Sequence, residues 1–329
     1  MEPHKVPSTL SNLKQLTMLD LSDNNFQGTI PVLAELTNLE VLSLDANNFT
    51  GGFPLWVANL KLLISLEISH NQLAGPIPFN LSGLQNLQYF YLWSNSLSGV
   101  IPPSLFSLPS LMYLDLSFNK LTSQIPEFQH HLPFYSIELS DNKLHGPIPH
   151  SISTLVNLDT LYLASNDLSG VVDLQVLNNL EDLSVSNTNI SVVVGSNVNN
   201  TLPNLRYFYM SSCNIEVFPY FLRALENLEE LDLSQNKIHG QIPNWVGFVG
   251  KASLGNLNLS HNFLTCIKQL PWEKLDTLDL RSNLLQGPLP IPPPLVRYFF
   301  ISNNSLSGEI PSLIAMRVPL RFLICLTTN

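Results

Sequence analysis

The residues of this chain best suited to contact a partner are aromatic and acidic. Tyr89, Tyr91 and Trp93 alternate with Phe90 and Leu92, and Tyr113, Asp115 and Phe118 lie in the next comparable segment. Alternation of this kind puts one set of side chains on a single face of a strand and the apolar set on the other. Glu67 and Glu138 hold matching positions in the segments on either side. Aromatic residues rimmed by carboxylates suit a peptide with a basic or hydroxyl-rich face. Tyr207 and Tyr209 form a second, smaller pair. Catalysis is not expected: the chain has no nucleophile elbow, phosphate loop or H-E-x-x-H spacing. His130 and His131 are adjacent but lack a third ligand nearby, and Cys213, Cys266 and Cys325 are too scattered for a zinc site or a disulfide framework. No metal and no cofactor are therefore expected.

What positions the aromatic residues is a repeated phrase, L-x-x-L-x-L-x-x-N-x-L-x-G-x-I-P, clear in Leu16 to Pro31. Counted on its asparagine, the phrase recurs thirteen times: Asn24, Asn47, Asn71, Asn95, Asn119, Asn142, Asn166, Thr188, Cys213, Asn236, Asn262, Asn283 and Asn304. A period of 21 to 26 residues predicts a solenoid of stacked units. The L-x-L pair, such as Leu19 and Leu21, predicts a short strand, and successive strands stack in parallel about 4.8 Å apart. The asparagine amide carries both donor and acceptor groups, so it can serve the backbone of adjacent turns away from water. The following G-x-I-P (Gly28 to Pro31, Gly75 to Pro78, Gly146 to Pro149, Gly240 to Pro243) predicts a tight turn, a core isoleucine and a stop. A later L-x-x-L predicts a helical turn on the convex side. The expected fold is thus an α/β repeat solenoid of about thirteen repeats, spanning residues 1–314 and irregular at 187–201 and 263–275. Its concave parallel sheet presents the aromatic residues named above.

Composition narrows the function. Charged residues make up only 12% and the net charge is −10, which argues against a nucleic-acid partner. MEPHKVPSTLSNLKQL has no apolar h-region, so no leader is expected there, and no stretch approaches the roughly 18 apolar residues of a membrane span.

The G-x-I-P extension resembles the plant-specific class of extracellular leucine-rich repeats over nearly the whole chain. CNIEVFPYFLRALENLEELDLSQNKIHGQIPNWV, from Cys213 to Val246, together with LQGPLPIPPP and SNNSLSGEIPS, resembles the C-terminal half of plant receptor-like proteins. That resemblance implies a right-handed superhelix serving as a cell-surface ectodomain. It further implies a peptide or protein ligand in defence or development, and a co-receptor kinase that carries the signal inward. The family's leader, cysteine cap and membrane helix have no counterpart in this sequence. A secreted inhibitor of a cell-wall-degrading enzyme, or a truncated product without independent function, are the other readings. Sequons at Asn48, Asn80, Asn189, Asn199, Asn258 and Asn303 fit a secretory origin. Residues 315–329, AMRVPLRFLICLTTN after Ile314, do not continue the phrase. With suitable synonymous codons, a one-base shift turns this tail into ICNASSLKILDLSNNKL, a good repeat. A frameshifted, poorly packed tail is the expectation.

Overall fold

The computed structural model describes residues 5–129, 131–177, 179–194, 204–267, 270, 272–309 and 321–324. The chain divides into two compact units, Met1–Gly170 and Val171–Asn329. Each is a stack of turns with one short strand per turn in its main sheet, and many turns add a second short strand that pairs separately, as Gln27–Thr29 does with Asn48–Gly51.

In the first unit the strands are β1 (Met18–Asp20), β2 (Val41–Ser43), β3 (Ser65–Glu67), β4 (Tyr89–Tyr91), β5 (Tyr113–Asp115), β6 (Ser136–Glu138) and β7 (Thr160–Tyr162). Each pairs in parallel with the next in chain order. Strand centres stay in register from turn to turn: Leu19, Leu42, Leu66, Phe90, Leu114, Ile137 and Leu161 are successive partners, and all are buried. In the second unit the strands are β8 (Asp182–Ser184), β9 (Tyr207–Tyr209), β10 (Glu230–Asp232), β11 (Asn256–Asn258), β12 (Thr277–Asp279), β13 (Tyr298–Phe300) and β14 (Phe322–Ile324), again parallel and in register. β14 falls within the last fifteen residues. The rest of that tail except Arg321 lies outside the described residues, and with it the reading-frame expectation.

One turn shows why the phrase folds this way. Leu60, Leu63, Leu66, Ile68, Leu73 and Ile77 are all buried, which gives the turn six apolar knobs. Each is worth about 1.5–3 kcal/mol relative to exposure, against the cost of ordering the backbone. The helical turns expected on the far side form as short 3₁₀ segments, as at Leu55–Asn59, His150–Thr154 and Tyr220–Ala224; no α-helix occurs among the described residues. A tight 3₁₀ turn fits a period too short for two α-helical turns. In the region expected to be irregular at 263–275, Phe263–Cys266 pairs with His239–Gln241, and the Trp272 indole is fully buried, donating to the Val249 carbonyl at 3.1 Å.

The asparagine ladder runs backwards along the chain. Asn71 Nδ2 donates to the Leu44 carbonyl of the preceding turn at 2.9 Å, and its Oδ1 accepts the Phe49 amide at 2.9 Å. Asn95 repeats this with Ile68 and Leu73, and Asn119 with Leu92 and Leu97. At the two substituted marks, Thr188 Oγ1 donates to the Val185 carbonyl at 2.7 Å and Cys213 Sγ to those of Val185 and Ser211 at 3.2 Å. Burial raises the Cys213 thiol above its ordinary range.

The residue before each mark has a positive φ in all thirteen turns, from +50° at Ala46 to +55° at Asn303. Asp, Asn and Ser tolerate this left-handed backbone, whereas a bulky aromatic resists it by about 1–2 kcal/mol. Phe118 nonetheless occupies it at +52°.

Candidate sheet-face binding site

Strand registry assembles the aromatic and acidic residues of the first unit into rows. Ser43, Glu67, Tyr91, Asp115, Glu138 and Tyr162 are partners on consecutive strands. Two positions earlier run Ser65, Tyr89, Tyr113 and Ser136. The Tyr89 and Tyr113 rings stack at 5.0 Å with an interplanar angle of 9°, and Tyr91 lies 6.3 Å from Tyr89. Tyr135, which precedes its strand and so falls outside the alternation, lies 5.5 Å from Tyr113 with its ring tilted by 47°. Trp93 stands just past the end of β4 with the His70 ring edge-on at 3.8 Å. Phe118, past the end of β5, is 55% exposed, so its left-handed backbone is not maintained by burial of its ring.

The electrostatics of this face are one-sided. Across the outward positions of its seven turns stand Asp20, Asp23, Asp45, Glu67, Asp115, Glu138 and Asp141, with no lysine or arginine. Partial burial, followed by the nearby Glu67 carboxylate, pushes the Tyr91 hydroxyl up to about 12. Burial raises Asp115 despite hydrogen bonds from the Ser117 amide and hydroxyl at 2.9 and 2.6 Å. Asp45 is pushed up to about 6 by burial first; the Ser69 amide it accepts opposes this, while Glu67, Asp20 and Asp23 add to it.

The second unit places Tyr207 and Tyr209 on β9, where their surroundings differ. Arg206 bridges Glu229 at 2.7 Å and Glu181 at 3.3 Å, and the Tyr207 hydroxyl donates to Glu229 at 3.2 Å. Burial, then Glu230, raises Tyr209. Arg281 Nε bonds both Asp279 oxygens at 3.0 and 2.9 Å, and its guanidinium lies 4.9 Å from the Phe300 ring centroid. Arg297 pairs with Asp276 and sits 5.9 Å from the Tyr298 ring. The repeated phrase does not foretell these groups, because each draws at least one partner from another turn: Glu181 and Glu229 for Arg206, Phe300 for Arg281 and Asp276 for Arg297.

Among the described residues, no group of three His, Cys, Asp or Glu side chains is placed to hold a metal ion. No helix among them is long and apolar enough to cross a membrane. His131 is exposed, and His130 lies outside the described residues. Of the sequons, Asn80 is exposed, its Oδ1 accepting the Ser82 hydroxyl at 2.7 Å. Asn258 stands on the sheet face and donates to Asp232 at 3.2 Å; Asn199 lies outside the described residues.

Stacked parallel turns, a backward-reaching asparagine ladder and a polar sheet face define a leucine-rich-repeat protein. Family models described as leucine-rich repeat match residues 15–35, 38–60, 63–133, 178–238 and 295–316, and the chain belongs to that family. Its relatives are plant receptor-like proteins. It is 37% identical over 183 residues to Receptor-like protein 7 of Arabidopsis thaliana, a match covering 53% of this chain and 19% of that protein. The chain therefore spans about a fifth of such relatives. Among solved structures it resembles the leucine-rich-repeat ectodomain of the Arabidopsis thaliana receptor kinase GASSHO1/SCHENGEN3 in complex with CASPARIAN STRIP INTEGRITY FACTOR 2, with a TM-score of 0.72 and 27% identity over 96% of this chain and 42% of that one. It also resembles the ectodomain of the Arabidopsis receptor kinase HAESA in complex with a peptide hormone, with a TM-score of 0.56 and 25% identity over 97% of this chain and 67% of that one.

Proposed function

We propose that this chain is part of the extracellular ligand-binding region of a plant cell-surface receptor-like protein, and that its ligand is a peptide or protein. The carrying observation is the aromatic group Tyr89, Tyr91, Trp93, Tyr113 and Phe118 on adjacent turns, outside the core and flanked by Glu67, Asp115 and Glu138. Core packing does not require these rings, and aromatic side chains supply contact area at low entropic cost. The peptide hormone bound by the HAESA ectodomain supports the ligand class. A co-receptor kinase would relay binding to the cell interior, as the family resemblance implies. Tyr207 and Tyr209 of the second unit form a second, weaker candidate site.

Capture from plant extracellular fluid, comparing the full chain with its Tyr91→Ala/Trp93→Ala double variant, tests this reading. At least a tenfold loss of captured ligand with unchanged circular dichroism is expected. Equal capture by both forms overturns it.

A further inference from the structure

The second unit contains, filled by its own side chain, an arrangement that the first unit leaves without a cation. Asp279 and Phe300 are register partners on adjacent strands, and Arg281, two residues after Asp279, lays its guanidinium between them. Glu67 and Tyr91 are register partners in the same two positions of the first unit. The residue corresponding to Arg281 is Ser69, whose buried hydroxyl is the only buried serine hydroxyl without a hydrogen-bond partner among the described residues. Asp115 adds a carboxylate on the other side of Tyr91. The first unit has no arginine at all, and thirteen acidic residues against five lysines.

From this internal precedent we infer that the first unit's sheet face docks a basic peptide through an arginine side chain, its guanidinium stacked on Tyr91 and bonded to Glu67 and Asp115. The inference rests on the ligand-binding reading above and narrows it to one chemistry. A guanidinium suits the site better than an ammonium, because its flat face stacks on a ring while its edge engages carboxylates. A peptide anchored by its own carboxylate does not suit it, since the face offers no cation. Trp93 and Phe118 then flank the anchor as apolar contacts for neighbouring residues of the peptide.

Calorimetric titration of the full chain with capped Gly-Arg-Gly-Arg-Gly and its lysine and citrulline counterparts tests the inference. The arginine peptide should bind at least tenfold tighter than the citrulline one and several-fold tighter than the lysine one, weakening with salt. Glu67→Gln, which preserves shape, should cost at least fivefold. Arg281→Ser, which empties the filled arrangement, should add a second, weaker arginine-peptide site. Equal binding of arginine and citrulline peptides, or no effect of Glu67→Gln, overturns the arginine anchor. A captured ligand that lacks basic residues yet is lost in the Tyr91→Ala/Trp93→Ala variant overturns the anchor and leaves the ligand-binding reading standing.

Discussion

The two units are built from one phrase but handle charge in opposite ways. The second carries ten basic residues against twelve acidic ones, and Arg206, Arg281 and Arg297 each engage a carboxylate and an aromatic ring. The first carries five against thirteen, and its outward positions include no cation. Since the solenoid core is the same apolar column in both, the fold does not dictate this difference. A strand register supplies adjacent outward slots, and residue choice decides whether the chain fills them itself or leaves them to a partner.

The largest expected effect bears on the ladder. Asn119→Ala in the first unit leaves the buried Leu97 amide unpaired and should cost about 1–3 kcal/mol in chemical denaturation. The second unit has thiol and hydroxyl substitutes, so Cys213→Asn should gain about 1 kcal/mol there; a loss would show that its turn has adapted to sulfur.

A smaller effect separates the units by pH. Asp45 in the folded chain titrates at about 6 rather than at its ordinary 3.8, so the folded state holds the proton more tightly than the unfolded one. Its contribution is fully present below about pH 4 and is lost as pH rises through about 6. Stability should therefore fall by about 1–2 kcal/mol between pH 4 and pH 7, and Asp45→Asn should flatten that slope. The smallest effect concerns Phe118. Replacing it with Asn relieves the left-handed backbone and should stabilise the fold by about 0.5–1 kcal/mol while weakening ligand capture. If stability and capture both fell, the ring would be a packing residue.

Much of the architecture is legible in the residues. Leucine pairs give the strands, the marks give the turns, and counting back from Asn95 and Asn119 places Tyr91 beside Asp115. The left-handed residue before each mark is less legible, because Ala46, His70 and Phe118 have no type in common. There the bend after the strand, held by the ladder, overrides local preference. The Arg281–Asp279–Phe300 group is hidden for a different reason: it joins two positions of one turn to a third in the next. Tyr135 escapes the alternation rule because the row of aromatic rings takes in the residue before its strand.

Because each asparagine of the ladder from Asn47 onward reaches to the turn before it, a turn is completed only by its successor. During synthesis the growing end therefore carries one turn whose amide still awaits its partner, as Leu285 awaits Asn304. Each arriving turn closes the last and opens the next. Assembly thus acquires a direction, and a pause in translation leaves a single sticky edge rather than a disordered chain.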